Sequence, residues 1–220
     1  MPEEYPGRES PEAVKPEAVK PEAVEPDTGE PDAAELVEWA TTLLLTRPPG
    51  LGRIRLGVVD GPSGSGKSTF AEHWRIALRE AGLSCALFSS DLLATWDDPF
   101  GWFDRFDDQV FGPLATGRPG RIQLTDWSSG EPVPGDWRDI PVSDALILEG
   151  VSSGRVALGD RASVQVWVHL AGRRQRLDRA VGRDGESARA RLAAWQDAED
   201  AFFDRDRPAS RADIRACRGP

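Results

Sequence analysis

The stretch that most constrains this chain is Gly61-Pro62-Ser63-Gly64-Ser65-Gly66-Lys67-Ser68-Thr69, which fits G-x-x-x-x-G-K-[ST] without a mismatch. It follows an apolar run, Ile54-Arg55-Leu56-Gly57-Val58-Val59, and opens a helical pattern. The glycines let the backbone double back and aim several N–H groups at one spot. The start of the following helix adds the positive end of its dipole. Such a loop cradles the phosphates of a nucleoside triphosphate. Lys67 reaches the β- and γ-phosphates, and the Ser68 hydroxyl ligates Mg²⁺. A glycine-rich turn with an accidental lysine would not need the strand before it and the helix after it.

Lysine usage sharpens this reading. Among 220 residues the only lysines are Lys15, Lys20 and Lys67, and every other basic residue past position 20 is arginine. A compact ammonium stands where a wide planar guanidinium would not serve equally.

The formal net charge is −10, but residues 1–35 hold eleven acids and three bases, leaving the remainder at −2. Residues 1–31 repeat Pro-Glu-Ala-Val-Lys at Pro11–Lys15 and Pro16–Lys20 and vary it at Pro21–Glu25. A proline every fifth residue forbids a helix and favours extended, disordered chain. A solubilising linker is the expected role, with a docking tail as the minority alternative. The near-neutral remainder has no basic face for nucleic acid. No apolar run approaches a membrane span, and no apolar leader is visible. Cys85 and Cys217 have no metal or redox spacing, so a reducing, cytoplasmic setting is expected.

From residue 32 to 220 the pattern is one domain of alternating strands and helices. Asp32 is placed to cap a helix running to about Thr46, with the stripe Leu36, Val37, Ala40, Leu43, Leu44. Strands are expected at Ile54–Asp60, Ser84–Ser89, Ala145–Leu148 and Ser163–Leu170, with a further short one at Ala212–Arg215. Helices are expected at Lys67 to about Ala81, Arg105 to Ala115, Arg173 to Arg183 (broken by Gly182 and Gly185) and Glu186 to Arg205. The last carries the stripe Ala188, Leu192, Trp195, Ala198, Phe202. Residues 118–140 read as a β-hairpin or a long excursion. This alternation implies a three-layer α/β/α fold around a mainly parallel sheet, with an excursion over 92–140 and a lid over 171–187.

In an open α/β sheet ligands sit at the carboxyl ends of the strands. The first strand delivers the phosphate loop, the second Asp91 and the third Glu149. A carboxylate to take the proton of an acceptor hydroxyl and another to hold the metal are what phosphoryl transfer needs. Asp91 is assigned the base, with a turn cap as its alternative, and Glu149 the metal. Among the arginines after the fourth strand, Arg176, Arg179 and Arg183 share one helical face and supply positive charge to a transferring phosphoryl group. The alternative is a solvated face paired with Asp178, Asp184 and Glu186. Trp96, Trp102, Trp127 and Trp137, with Phe100, Phe103 and Phe106, read either as a stacking surface for a planar acceptor or as a small core. Asp97, Asp98, Asp104, Asp107 and Asp108 tilt the expectation toward a neutral or cationic acceptor.

At Gly61–Thr69, Asp91, Leu148-Glu149-Gly150 and Arg176 through Arg183-Asp184, the chain resembles the uridine kinase and phosphoribulokinase group of P-loop kinases over about residues 54–207. The resemblance implies a P-loop kinase fold and an ATP-dependent, Mg²⁺-assisted kinase. Asp91 would be the base, Glu149 would lie near Mg²⁺ and Arg183 would belong to the lid. The acceptor would be a small molecule with a hydroxyl, nucleoside-like or otherwise. Uridine kinases carry Asp-Ser-Phe-Tyr where this chain has Asp91-Leu92-Leu93-Ala94. Of their Tyr-Asp-Phe segment only Asp126-Trp127 is comparable, with no histidine following. A P-loop ATPase or nucleotide switch acting on a protein partner is the second class, and a kinase fold binding nucleotide without turnover the third. A GTPase is disfavoured because the chain contains no asparagine for a guanine motif.

Overall fold

The computed structural model describes residues 32–218, so the expectation for residues 1–31 lies outside the described residues. Helix α1 (Ala33–Thr46) begins as expected. Asp32 accepts the N–H groups of Ala34 and Glu35, and Glu35 returns a bond to the Asp32 N–H, closing a capping box. Then come β1 (Arg55–Asp60), the phosphate loop, α2 (Lys67–Glu80) and β2 (Cys85–Ser89). A 3₁₀ turn, Ser90–Leu93, carries Asp91. Helix α3 (Phe103–Phe106) passes through a π-turn, Asp107–Phe111, into α4 (Gly112–Ala115).

Residues 120–140 resolve the hairpin alternative. Strands β3 (Gly120–Asp126) and β4 (Val133–Ile140) pair antiparallel. The chain continues with β5 (Ala145–Glu149), β6 (Ala162–Leu170), α5 (Arg173–Asp184), α6 (Arg189–Asp206), α7 (Pro208–Arg211) and β7 (Ile214–Arg218). The main sheet has the order β2-β5-β1-β6-β7, and its neighbours all pair parallel.

Period-two alternation divides the core. On one face Val59, Ala145, Ile147, Val164, Val166 and Val168 pack against Leu36, Ala40 and Leu44 of α1 and Phe70, Trp74 and Leu78 of α2. On the other, Leu56, Val58, Leu146 and Leu148 pack against Phe103, Phe106, Val110, Phe111 and Leu114, with Ile122 and Ile140 from the hairpin. The stretch 92–140 is therefore the third layer as well as an excursion. Trp102, Phe103 and Phe106 are core residues within it, and three of the seven aromatic residues of the cluster are thereby accounted for.

Two helix expectations are corrected. Gly182 does not break α5, which runs on to Asp184, because a glycine keeps helical dihedrals where nothing opposes them; Gly185, at φ +93°, ends it. Helix α6 buries Leu192, Gln196 and Glu199 instead of the expected stripe through Trp195 and Ala198. Helices α5 and α6 share a small cluster of their own, Ala180, Val181 and Leu192.

Candidate phosphotransfer site

The loop after β1 is held from below by Asp60. Its buried carboxylate accepts N–H groups from Gly61 (2.6 Å), Ser152 (3.0 Å) and Gly154 (2.8 Å), joining the phosphate loop to the loop that follows β5. Burial pushes this carboxyl up to about 7, against the pull of those donors and of Lys67. Gly64 has φ +76°, and a Cβ there would stand 2.7 Å from the Arg176 carbonyl oxygen, so the close approach of α5 requires glycine. Gly66 is the N-cap of α2 and offers no side chain to its first-turn N–H groups, which leaves them for a ligand. Lys67 is 5 % exposed and bridges the loop by donating to the Pro62 carbonyl at 3.1 Å.

Ser68 Oγ donates to Glu149 Oε2 at 3.2 Å. The expected metal pair is thus in contact, Ser68 from the helix start and Glu149 from the end of β5. Burial, then the nearby Asp91 charge, raise the Glu149 pKa. Asp91 is exposed on its 3₁₀ turn. Its Oδ1 accepts the Val151 N–H at 3.4 Å, across to the loop after β5, and no side chain caps its own turn.

A cavity of about 320 Å³ gathers Lys67, Ser68, Thr69, Asp91, Arg179 and Arg183 around Ser63, Gly64 and Gly66. Two of the three lid arginines therefore face the loop. Arg179 has no partner among the described residues, while Arg183 pairs with Asp184 at 2.7 and 2.8 Å. Arg176 is placed differently. Its side chain is buried and Nη1 donates to the Leu170 carbonyl at 2.8 Å, so its guanidinium supports the turn between β6 and α5 and does not line the cavity. Arg173 and Arg174 pair with Asp197, Asp200 and Asp178 on the surface.

These residues fit a triphosphate with a divalent cation. The loop offers glycine N–H groups, an ammonium and an unpaired guanidinium, and Ser65 Oγ is buried without a partner. One carboxylate and one hydroxyl suit Mg²⁺, which takes most of its remaining ligands from phosphate and water.

Sequence reasoning missed Glu199. It is fully buried on α6 and receives both the Ser63 N–H (3.0 Å to Oε2) and the Ser63 hydroxyl. Burial raises its pKa, opposed first by Lys67. The signal was the spacing Leu192, Gln196, Glu199, one helical face on which two of three residues are polar. Asp60 was read only as a strand end, and Arg155 not at all. Arg155 donates to the Ser152 hydroxyl (2.8 Å) and the Phe100 carbonyl (2.6 Å) and stacks 4.9 Å from the Trp102 ring and 5.4 Å from Phe202.

A second cleft, of about 310 Å³, opens between the segment after Asp91 and the hairpin. Leu93, Trp102, Leu124 and Val133 form its apolar walls, and Thr95, Asp98, Arg105, Gln123 and Thr125 its polar ones. Nearby, Trp96 meets Trp127 and Trp195 edge to face, at 4.9 and 5.8 Å between ring centroids.

No family model matches the sequence, and no curated protein matches it. Solved structures do match the fold. A candidate uridine kinase from Bacillus stearothermophilus superposes with a TM-score of 0.60 at 21% identity, covering 82% of this chain and 97% of that one. A candidate fructose transport system kinase from Silicibacter sp. TM1040 gives 0.58 at 20% identity, covering 84% and 99%. The chain has the fold of the uridine-kinase-like P-loop kinases.

Proposed function

We propose that this protein is an ATP-dependent kinase that transfers the γ-phosphoryl group to a hydroxyl of a small molecule bound in the cleft beside Asp91. The observation that carries this reading is the single cavity shared by Lys67, Ser68, Asp91, Arg179 and Arg183, with Glu149 on Ser68. ATP would supply the phosphoryl group, and Ser68 and Glu149 would hold Mg²⁺, which would offset its charge. Asp91, solvated and free of an ion-pair partner among the described residues, accepts the hydroxyl proton on a carboxylate oxygen. Lys67 holds its ammonium over the loop by the Pro62 carbonyl. Arg179 and Arg183 hold positive charge on the lid side, where charge spreads in the transition state. Helix α5, short and packed on its own small cluster with α6, closes over the reacting groups and excludes water.

Neither nucleic acid nor membrane enters this reading; among the described residues no helix is long and apolar enough to cross a membrane. Both cysteines are free thiols, and we place the enzyme in the cytoplasm.

Acceptor-dependent release of ADP tests the reading. Asp91→Asn is expected to lower transfer by about 10²–10⁴-fold and to leave ATP affinity within about twofold. Retained transfer would remove Asp91 from the chemistry. Turnover that needs no acceptor would instead favour an ATPase.

A further inference from the structure

Five aspartates crowd residues 97–108, and their field led to the expectation of a neutral or cationic acceptor. The structure distributes them otherwise. Only Asp98 lines the cleft beside the hairpin. Asp107 faces away and pairs with Arg161, whose guanidinium also stacks 5.2 Å from the Phe111 ring. Asp97, Asp104 and Asp108 are exposed and outside the cleft.

Arg105 also lines the cleft, and it is the one cationic side chain in that lining. It is half-buried and makes no hydrogen bond or ion pair among the described residues. The nearby half-buried arginines behave otherwise. Arg161 is held by Asp107 and two carbonyls, and Arg155 by Ser152 and Phe100. Its nitrogens are open to water, and with no acceptor among the described residues the guanidinium is free to receive a ligand's oxygens. Its planar fork matches a carboxylate, two parallel N–H groups to two oxygens. Around it the cleft offers Thr95, Thr125 and the Gln123 carbonyl oxygen, groups that suit hydroxyls; the Gln123 amide is already given to the Gly135 carbonyl at 3.1 Å. With Asp98 at the same cleft, one cation and one anion line it. That balance accepts a monoanion more readily than a phosphomonoester with nearly two charges. The volume of about 310 Å³ lies at the small end for ligand clefts.

We propose that the acceptor is a small hydroxy acid, its carboxylate on Arg105 and one hydroxyl directed to Asp91. This rests on the kinase reading and names the substrate class of the same site. The step is the one already described: the acceptor oxygen gains the γ-phosphoryl group, its proton passes to Asp91, and ADP leaves.

The test is acceptor-dependent ADP release by the full chain with ATP and Mg²⁺. It compares matched hydroxy acids and polyols (ribonate against ribitol, gluconate against glucitol), with ribose 5-phosphate and uridine as further arms. The expected result is a kcat/KM at least tenfold higher for the acid of each pair. Arg105→Gln is expected to raise the KM for the acid at least tenfold, with kcat and the KM for ATP within about threefold and the polyol values unmoved. Arg105→Lys is expected to recover part of the loss. Equal use of the polyols, preference for uridine or the sugar phosphate, or an Arg105→Gln enzyme with unchanged selectivity would each overturn the inference and leave the kinase reading intact. No release with any arm from a chain that binds ATP overturns it as well. Acceptor-independent turnover, or no binding of ATP, overturns the kinase reading itself.

Discussion

Glu199 shows how one side chain links α6 to the nucleotide loop. A carboxylate with no exposure sits on a backbone N–H of the loop that otherwise awaits phosphate. By accepting from Ser63, it turns that peptide toward α6 and fixes where Gly64 begins its turn. Removing the acceptor leaves a half-buried N–H without its partner, a cost of about 1 kcal/mol. Glu199→Ala is therefore expected to weaken ATP binding by roughly fivefold. Ser63→Ala, which keeps the N–H bond and loses only the hydroxyl, is expected to have a smaller effect. Isothermal titration of both variants decides, and wild-type affinity in Glu199→Ala would show that the contact does not position the loop. None of this was visible in the residue order. The loop, Asp91 and Glu149 were readable because each lies at the end of an apolar strand, where position along the chain gives position in space. Glu199 lies 136 residues from Ser63, and its partner follows only from how α6 rotates onto the loop.

At the level of elements, period and punctuation located most helices and strands to within a few residues. They failed where glycine has two meanings. Gly182 and Gly185 look alike in sequence, but the first is exposed inside α5 and the second closes the helix at φ +93°. A Cβ on Gly182 meets open space. Gly182→Ala is expected to raise stability by about 0.5–1 kcal/mol, through lower backbone freedom in the unfolded chain. Gly185→Ala, forced into the left-handed region, is expected to lower it by about 1 kcal/mol or more. Urea denaturation of the pair provides the comparison, and a destabilised Gly182→Ala would mean that α5 is not continuous in solution. The stripe assigned to the last helix failed for a different reason. Hydrophobic period marks the face that meets an apolar core, whereas α6 also meets the polar phosphate loop, where it buries Glu199 against Ser63, and the start of α5, where buried Gln196 donates to the Arg173 carbonyl. Trp195 is left to the aromatic contacts with Trp96 and Phe100.

Across the whole molecule, the sheet order decides the chemistry. Strands β2, β5 and β1 are consecutive neighbours, so Asp91, Glu149 and the phosphate loop emerge side by side although Asp91 lies 24 and Glu149 82 residues beyond Lys67 in the chain. The sequence could list what each strand end carries, but not that β5 inserts between β1 and β2. That insertion also brings the Ser152–Gly154 backbone onto Asp60, and both Asp60 and Glu199, the latter brought by α6, are buried within the field of the Lys67 ammonium. Burial raises both carboxyls, and the sign of the consequence follows. Asp60 moves from 3.8 when unfolded to about 7 when folded, so the native state binds the extra proton between those values. Its contribution to stability is complete below about pH 4 and is lost as pH rises through 7, and Glu199 acts in the same direction. The protein without nucleotide is expected to melt at progressively lower temperature from pH 5 to pH 8. Asp60→Asn is expected to start from a lower melting temperature, because an amide cannot accept all three N–H groups, but to show a flatter slope. Melting curves of both proteins across that range, at constant ionic strength, make the comparison. A wild-type melting temperature that rises toward pH 8 would mean that the three N–H donors and Lys67, and not burial, govern the charge beneath the loop.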